Sequence, residues 1–176
     1  MHITTILIDR RKTNLYIKWI GAAIISLCAI FVSRGYSAFA ERRLGQYGGF
    51  IALLEHIEGR IIDSLAYGDR LWSGFGCQES SVSSFVNLLQ NGVSPKEAFD
   101  SIQAGLYLPN KATTLLSESF SSFGLECCER EIERIHSARE TLSAMLDEEN
   151  ADCEKSQKTF TAILFGVSAS VIIMLI

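Results

Sequence analysis

From Thr159 to Ile176 the chain carries no charged side chain, and the same holds from Trp19 to Ser33. As α-helices these runs reach roughly 27 Å and roughly 22 Å, against a bilayer hydrocarbon core of about 30 Å. A helix that is apolar on every face has no side to offer water, so such runs must be buried or placed in lipid. Lys155 and Lys158 stand just before the carboxyl-terminal run, where long stems and polar heads can extend its reach to the headgroups. We expect a transmembrane helix over residues 159–176.

The amino-terminal run reaches spanning length over residues 15–33 if Leu15, Tyr16 and Ile17 join it and Lys18 snorkels. A cleaved signal peptide is the rival reading: Arg10-Arg11-Lys12 makes a basic leader, Ile20 to Val32 an apolar stretch, and Ala38-Phe39-Ala40 a small-x-small cleavage pattern. Tyr36 and Phe39 lengthen and burden the stretch before Ala40, which favours the anchor. Residues 1–14 show no helical pattern and read as an extension or a misassigned start.

Charge divides the chain at the same places. Residues 1–33 carry four basic side chains against Asp9 alone, whereas residues 34–158 carry 12 basic and 19 acidic ones. An acidic middle without a basic stripe repels phosphate, which argues against nucleic acid as a partner. Basic residues favour the cytosolic side of a span, and Lys155 and Lys158 lie on the middle's side of the last run, so the middle domain, residues 34–158, is expected in the cytosol.

That middle reads as all-α. Its prolines are Pro95 and Pro109, and no stretch alternates polar with apolar residues long enough for a strand. A bundle of about five or six helices is expected, with an amino-terminal and a carboxyl-terminal transmembrane helix. The first helix of the middle runs from Glu41 to Tyr67, with Leu44, Tyr47, Ile51, Leu54, Ile61 and Leu65 on one face. Gly45, Gly48 and Gly49 near its start suggest a flexible joint beside the membrane. A glycine- and serine-rich loop from Asp69 leads into a short helix over Val82 to Leu89, stopped by Asn91-Gly92. Ser94-Pro95-Lys96-Glu97 combines an N-cap, a first-turn proline and a capping glutamate, so a helix is predicted from there to Ala104. Pro109-Asn110 opens another over Lys111 to Phe123, which Gly124 ends or bends. From Leu125 no breaker intervenes before the last span.

The long final helix has a seam at Cys128, Ile132, Ile135, Arg139, Leu142 and Leu146. Its other faces carry Glu126, Glu129, Glu131, Glu133, Glu140, Asp147, Glu148 and Glu149, read chiefly as a solvated surface. Each long helix has one charged seam residue, Glu58 on the first and Arg139 on the last. If the two pack antiparallel, Glu58 faces Arg139, Leu54 faces Leu142, Ile51 faces Leu146, Ile61 faces His136 and Leu65 faces Ile132. A partly buried Glu58–Arg139 ion pair would then fix the register. For partner contacts the candidates are Trp72 and Phe75 in the loop and the acidic face at Glu126, Glu129, Glu133 and Glu140. Trp72 capping the bundle is the equal alternative.

Chemistry is sparse. The five cysteines are odd in number, and Cys127-Cys128 point about 100° apart on a helix, unsuited to an ordinary disulfide or a CxxC site. Cys77, Cys127, Cys128, Cys153, His56 and His136 include no ligand pair at zinc-site spacing, so no metal is expected. Free thiols suit a reducing compartment. Phosphate-loop, zinc-protease, nucleophile-elbow and dinucleotide motifs are absent, and His56 beside Glu55 and Glu58 lacks a nucleophile, so no enzyme, cofactor or small-molecule substrate is expected.

Several segments in a fixed order carry a resemblance. They are the short amino-terminal span; Leu54-Glu55-His56-Ile57-Glu58-Gly59-Arg60-Ile61 followed by Tyr67 and Leu71; Gly92-Val93-Ser94-Pro95-Lys96-Glu97-Ala98; Phe123-Gly124; the charged helix with Arg139 and Leu142; and the terminal span around Gly166. From Tyr16 to Ile176 the chain resembles the stage III sporulation protein AB family of endospore-forming bacteria. It departs from that family in its first 14 residues and at Gly68-Asp69-Arg70-Leu71-Trp72, where the family has a small-polar and proline stretch. The resemblance implies a non-enzymatic membrane scaffold in a secretion-like trans-envelope complex between mother cell and forespore. Its helical domain would be similar to the cytoplasmic domains of type II secretion and type IV pilus platform proteins. Implied partners are the other subunits of the stage III sporulation A assembly, including a secretion-type ATPase, and the location is the mother-cell membrane facing the forespore. The alternative is an exported helical sensor that binds a ligand outside the cell, with a cleaved signal and one carboxyl-terminal anchor.

Overall fold

A computed structural model describes the backbone of residues 2–64, 68–125 and 127–175, and the side chains at most positions between 19 and 171. The described residues form five α-helices, with no strand among them. They are α1 (His2–Ser64), α2 (Ser80–Gln90), α3 (Pro95–Gln103), α4 (Asn110–Ser121) and α5 (Cys128–Leu175), with a short 3-10 turn at Gly68–Leu71.

Two boundaries differ from the sequence reading. Helix α1 begins at His2, so residues 2–14 are helical although they lack an amphipathic stripe, and no break separates the apolar run from Glu41. The long last helix starts at Cys128, because Gly124 at φ +80° ends the preceding turn and the chain must reorient before helix can resume. Tyr67 and Leu65, the expected end of the first middle helix, lie outside the described residues.

Local chemistry accounts for the short helices. Glu79 accepts the Val82 amide at 2.9 Å through Oε2 and opens α2, and Gly92, at φ +81°, follows its C-cap Asn91. Ser94 caps α3 by accepting the Glu97 amide through Oγ, as the spacing predicts, and its hydroxyl donates to the Glu97 carboxylate at 2.9 Å. Pro109 precedes α4 in extended backbone.

The chain divides into two compact units, Phe39–Asp152 and a second made of Met1–Ala38 with Cys153–Ile176. In the first, α1 buries an arc far wider than one seam. Tyr47, Phe50, Leu53, Leu54, Ile57 and Ile61 are all buried, because α2, α3, α4 and α5 all pack against it. Phe50 of α1, Phe85 of α2, Phe99 of α3 and Phe120 of α4 meet in pairs with ring centroids between 4.7 and 6.5 Å, one ring from each of four helices. Tilted and edge-on contacts of this kind add to the burial of the rings.

The expected glycine joint is instead continuous helix. A Cβ on Gly49 would lie 2.9 Å from Val82 Cγ2 and 3.3 Å from Cys77 Sγ, so Gly49 is there to let the start of α2 approach. Gly48 faces open space.

In the second unit, Trp19, Ile20, Ile24, Leu27, Ile30, Phe31, Val32 and Tyr36 are exposed on α1. Among the described residues, α1 is the one helix long and apolar enough to cross a membrane. The carboxyl-terminal run is helical to Leu175 with Ile163 and Val167 exposed, but the span expected there is not shown.

Candidate interaction surfaces

Helices α1 and α5 are clasped at two levels inside the Phe39–Asp152 unit. Arg43 donates to Glu149 Oε2 at 2.6 Å, and farther along α1 Glu58 meets His136 and Arg139. The numbers rise on one helix as they fall on the other, so the two run antiparallel. Arg139 Nε stands 3.2 Å from Glu58 Oε2, with its N–H aimed elsewhere, so this contact is coulombic. His136 Nδ1 lies 2.9 Å from Glu58 Oε1, and its Nε2 lies 3.2 Å from Glu140 Oε1. Arg139 Nη2 is 3.2 Å from His136 Nδ1 as well. Protonated on both nitrogens, the imidazole donates to both carboxylates; neutral, it donates to one.

The seam of α5 is rotated from the expected one. Ile135, Ala138 and Leu142 are buried, while Cys128, Ile132 and Leu146 are half-buried. Glu131, expected among the solvated acids, is also buried. It pairs with Arg134 and accepts the Gly124 amide at 3.4 Å, and Arg134 donates to the Ser122 carbonyl at 3.1 Å. The turn before α5 leaves unpaired backbone groups inside the fold, and this pair satisfies them.

Trp72 does not offer a docking surface. It is buried, its ring 5.2 Å from that of Phe123, and Gln90 donates to its carbonyl at 3.1 Å. Its burial against Phe123 fits the capping role rather than the docking one. Phe75 is half-buried with its ring 5.4 Å from His56. Glu129, Glu133 and Glu140 are exposed on α5. Glu126 lies outside the described residues. The structure therefore brings Glu58 and Arg139 together, leaves three of the acids on the surface, and buries Trp72.

Gln46 carried no sequence signal and is fully buried. Its Nε2 donates to Ser81 Oγ at 3.1 Å and its Oε1 accepts the Tyr107 amide at 2.7 Å, tying the α3–α4 loop and the start of α2 to α1. A glutamine one residue before an apolar stripe shows its role only when the loop is seen above it. Next to it, burial and then the Glu149 carboxylate push the Tyr47 phenol above its usual range. No disulfide and no cluster of metal-binding side chains occurs among the described residues.

Residues 18–176 match the family model described as stage III sporulation protein AB. No curated protein and no solved structure gives a match.

Proposed function

The chain belongs to the stage III sporulation protein AB family, and from that premise we propose that it is a non-enzymatic membrane scaffold in a secretion-like complex between mother cell and forespore. One observation carries the reading. The apolar segment of α1, from Trp19 to Ser33, belongs to the same helix as the residues that centre the helical core, Tyr47 to Ile61. A helix that is lipid-compatible at one end and core at the other ties a folded domain to a membrane.

In this reading residues 15–33 and 159–176 are both anchors, the bundle lies in the cytosol, and the exposed acids Glu129, Glu133 and Glu140 together with Phe75 face other subunits of the stage III sporulation A assembly, its secretion-type ATPase among them. Phe39 supports an uncleaved amino terminus. It stands edge-on to Tyr107 with centroids 5.4 Å apart and lies beneath the Arg43 guanidinium at 5.3 Å, so cleavage after Ala40 would remove a packed side chain.

Affinity capture of the tagged full chain from sporulating membranes tests the reading. Recovery of the other assembly subunits with the wild type, and their loss with Glu129, Glu133 and Glu140 all changed to Gln, is the expected outcome. A mature protein beginning at Glu41, or digestion of the bundle by protease added to intact cells, would overturn it in favour of the exported sensor.

A further inference from the structure

Where α1 enters the bundle, three exposed side chains converge. Phe39 and Tyr107 form an edge-on aromatic pair. The Arg42 guanidinium lies 6.0 Å from the Tyr107 ring centroid, and its Nη1 donates to the Tyr107 hydroxyl at 3.4 Å. The loop that carries Tyr107 is pinned from beneath: Gln46 accepts its amide, and Arg43 Nε donates to its carbonyl at 3.1 Å. Arg43 is thus committed inward, to that carbonyl and to Glu149. Arg42 is the opposite case, exposed and without a carboxylate among the described residues.

The position of this cluster along α1 decides what it meets. Arg42 follows Ser33, the end of the uncharged run, by nine residues along the chain. Side chains on a helix lean toward its amino end, so on α1 they lean back toward any bilayer that holds the run. Amphipathic rings and long cationic side chains prefer the headgroup layer for the same reason: one end is apolar and the other wants water or phosphate. The remainder of the middle is acidic and is repelled by an anionic leaflet. Arg42 puts an uncommitted cation beside an aromatic pair where α1 enters the bundle.

We propose that Phe39, Arg42 and Tyr107 form a footing for an anionic phospholipid headgroup, with the Arg42 guanidinium holding the phosphate and the two rings lying among the glycerol esters. The inference rests on residues 15–33 being an anchor.

The test is lipid retention by the full-length chain, solubilised from membranes of phosphatidylcholine mixed with phosphatidylglycerol and read by native mass spectrometry. Wild type should retain phosphatidylglycerol in preference. Arg42→Gln should weaken that preference about five-fold, since one basic residue near an anionic surface contributes about 1 kcal/mol. Arg42→Lys should keep most of it, and Arg130→Gln, an exposed change at the start of α5, should leave it intact. Because Arg42 is exposed, the thermal melts of all the variants should coincide. An unaltered preference in Arg42→Gln, or none in the wild type, overturns the site while leaving the anchor standing. Release of the wild type by alkaline carbonate overturns the anchor and the site together.

Discussion

Gly48 and Gly49 are neighbours on α1 with opposite surroundings, and the pair separates helix propensity from packing. A methyl at position 48 meets nothing, so Gly48→Ala should stabilise the fold by about 0.5–1 kcal/mol through lower backbone entropy in the unfolded chain. A methyl at position 49 meets Val82, which is buried and β-branched and has little room to turn. Overpacking of about 1–3 kcal/mol then outweighs the propensity gain of about 1 kcal/mol, and Gly49→Ala should destabilise. Denaturant midpoints of the two variants should move in opposite directions. Tyr47 gives a second test at this scale. Its folded-state pKa is raised, so the folded chain holds the phenolic proton more tightly than the unfolded chain does. The stability this contributes is fully present below the ordinary value of 10.0 and is lost as pH rises through the raised one. Melting temperature measured upward from neutral pH should therefore fall more steeply above pH 10.0 in the wild type than in Tyr47→Phe.

Among the elements, α1 and α5 carry the register. Two apolar stripes of similar side chains can slide by a turn at small cost, whereas a charge opposite its counter-charge cannot. Glu58 is only 14% exposed and Arg139 27%, so the pair is screened less than a surface pair such as Lys158–Glu154, whose partners are 81% and 75% exposed. A double-mutant cycle with Glu58→Gln and Arg139→Met should give a coupling of about 1–2 kcal/mol, while the same cycle on Lys158 and Glu154 should give almost none. A zero coupling at Glu58 and Arg139 would assign the register to apolar packing alone. Most element boundaries were legible in the chain because they depend on a few adjacent residues: Ser94 to Glu97 for α3, Asn91-Gly92 for the end of α2, Gly124 for the end of the turn before α5. Gly45, Gly48 and Gly49 were misleading, since the same residue marks a joint or a close approach depending on what lies opposite.

For the molecule as a whole, the four phenylalanines make the bundle one cooperative body. Each ring comes from a different helix, so none of α1, α2, α3 and α4 can leave without exposing the other three rings. Phe120→Ala should cost about 3–5 kcal/mol, the range for a large aromatic removed from a packed core. Far-ultraviolet helicity and the near-ultraviolet signal of buried Trp72 should still melt at one temperature, lowered from the wild type. Separate transitions would show that α2–α4 form a body of their own. The apolar segment of α1 lies outside this core and should keep the chain with the membrane in that variant.

What the amino-acid order determined alone was the helical class, the caps and stops, and the apolar runs, since these follow from interactions within a turn or two of chain. The tertiary structure decided which residues those helices turn inward: Gln46, Gly49 and Glu131, which carry no apolar signal, and Trp72, which an exposed loop and a capping role fit equally. Burial of a polar or small residue depends on the groups another helix brings to it, and that neighbour is set by the packing of the whole bundle rather than by local spacing.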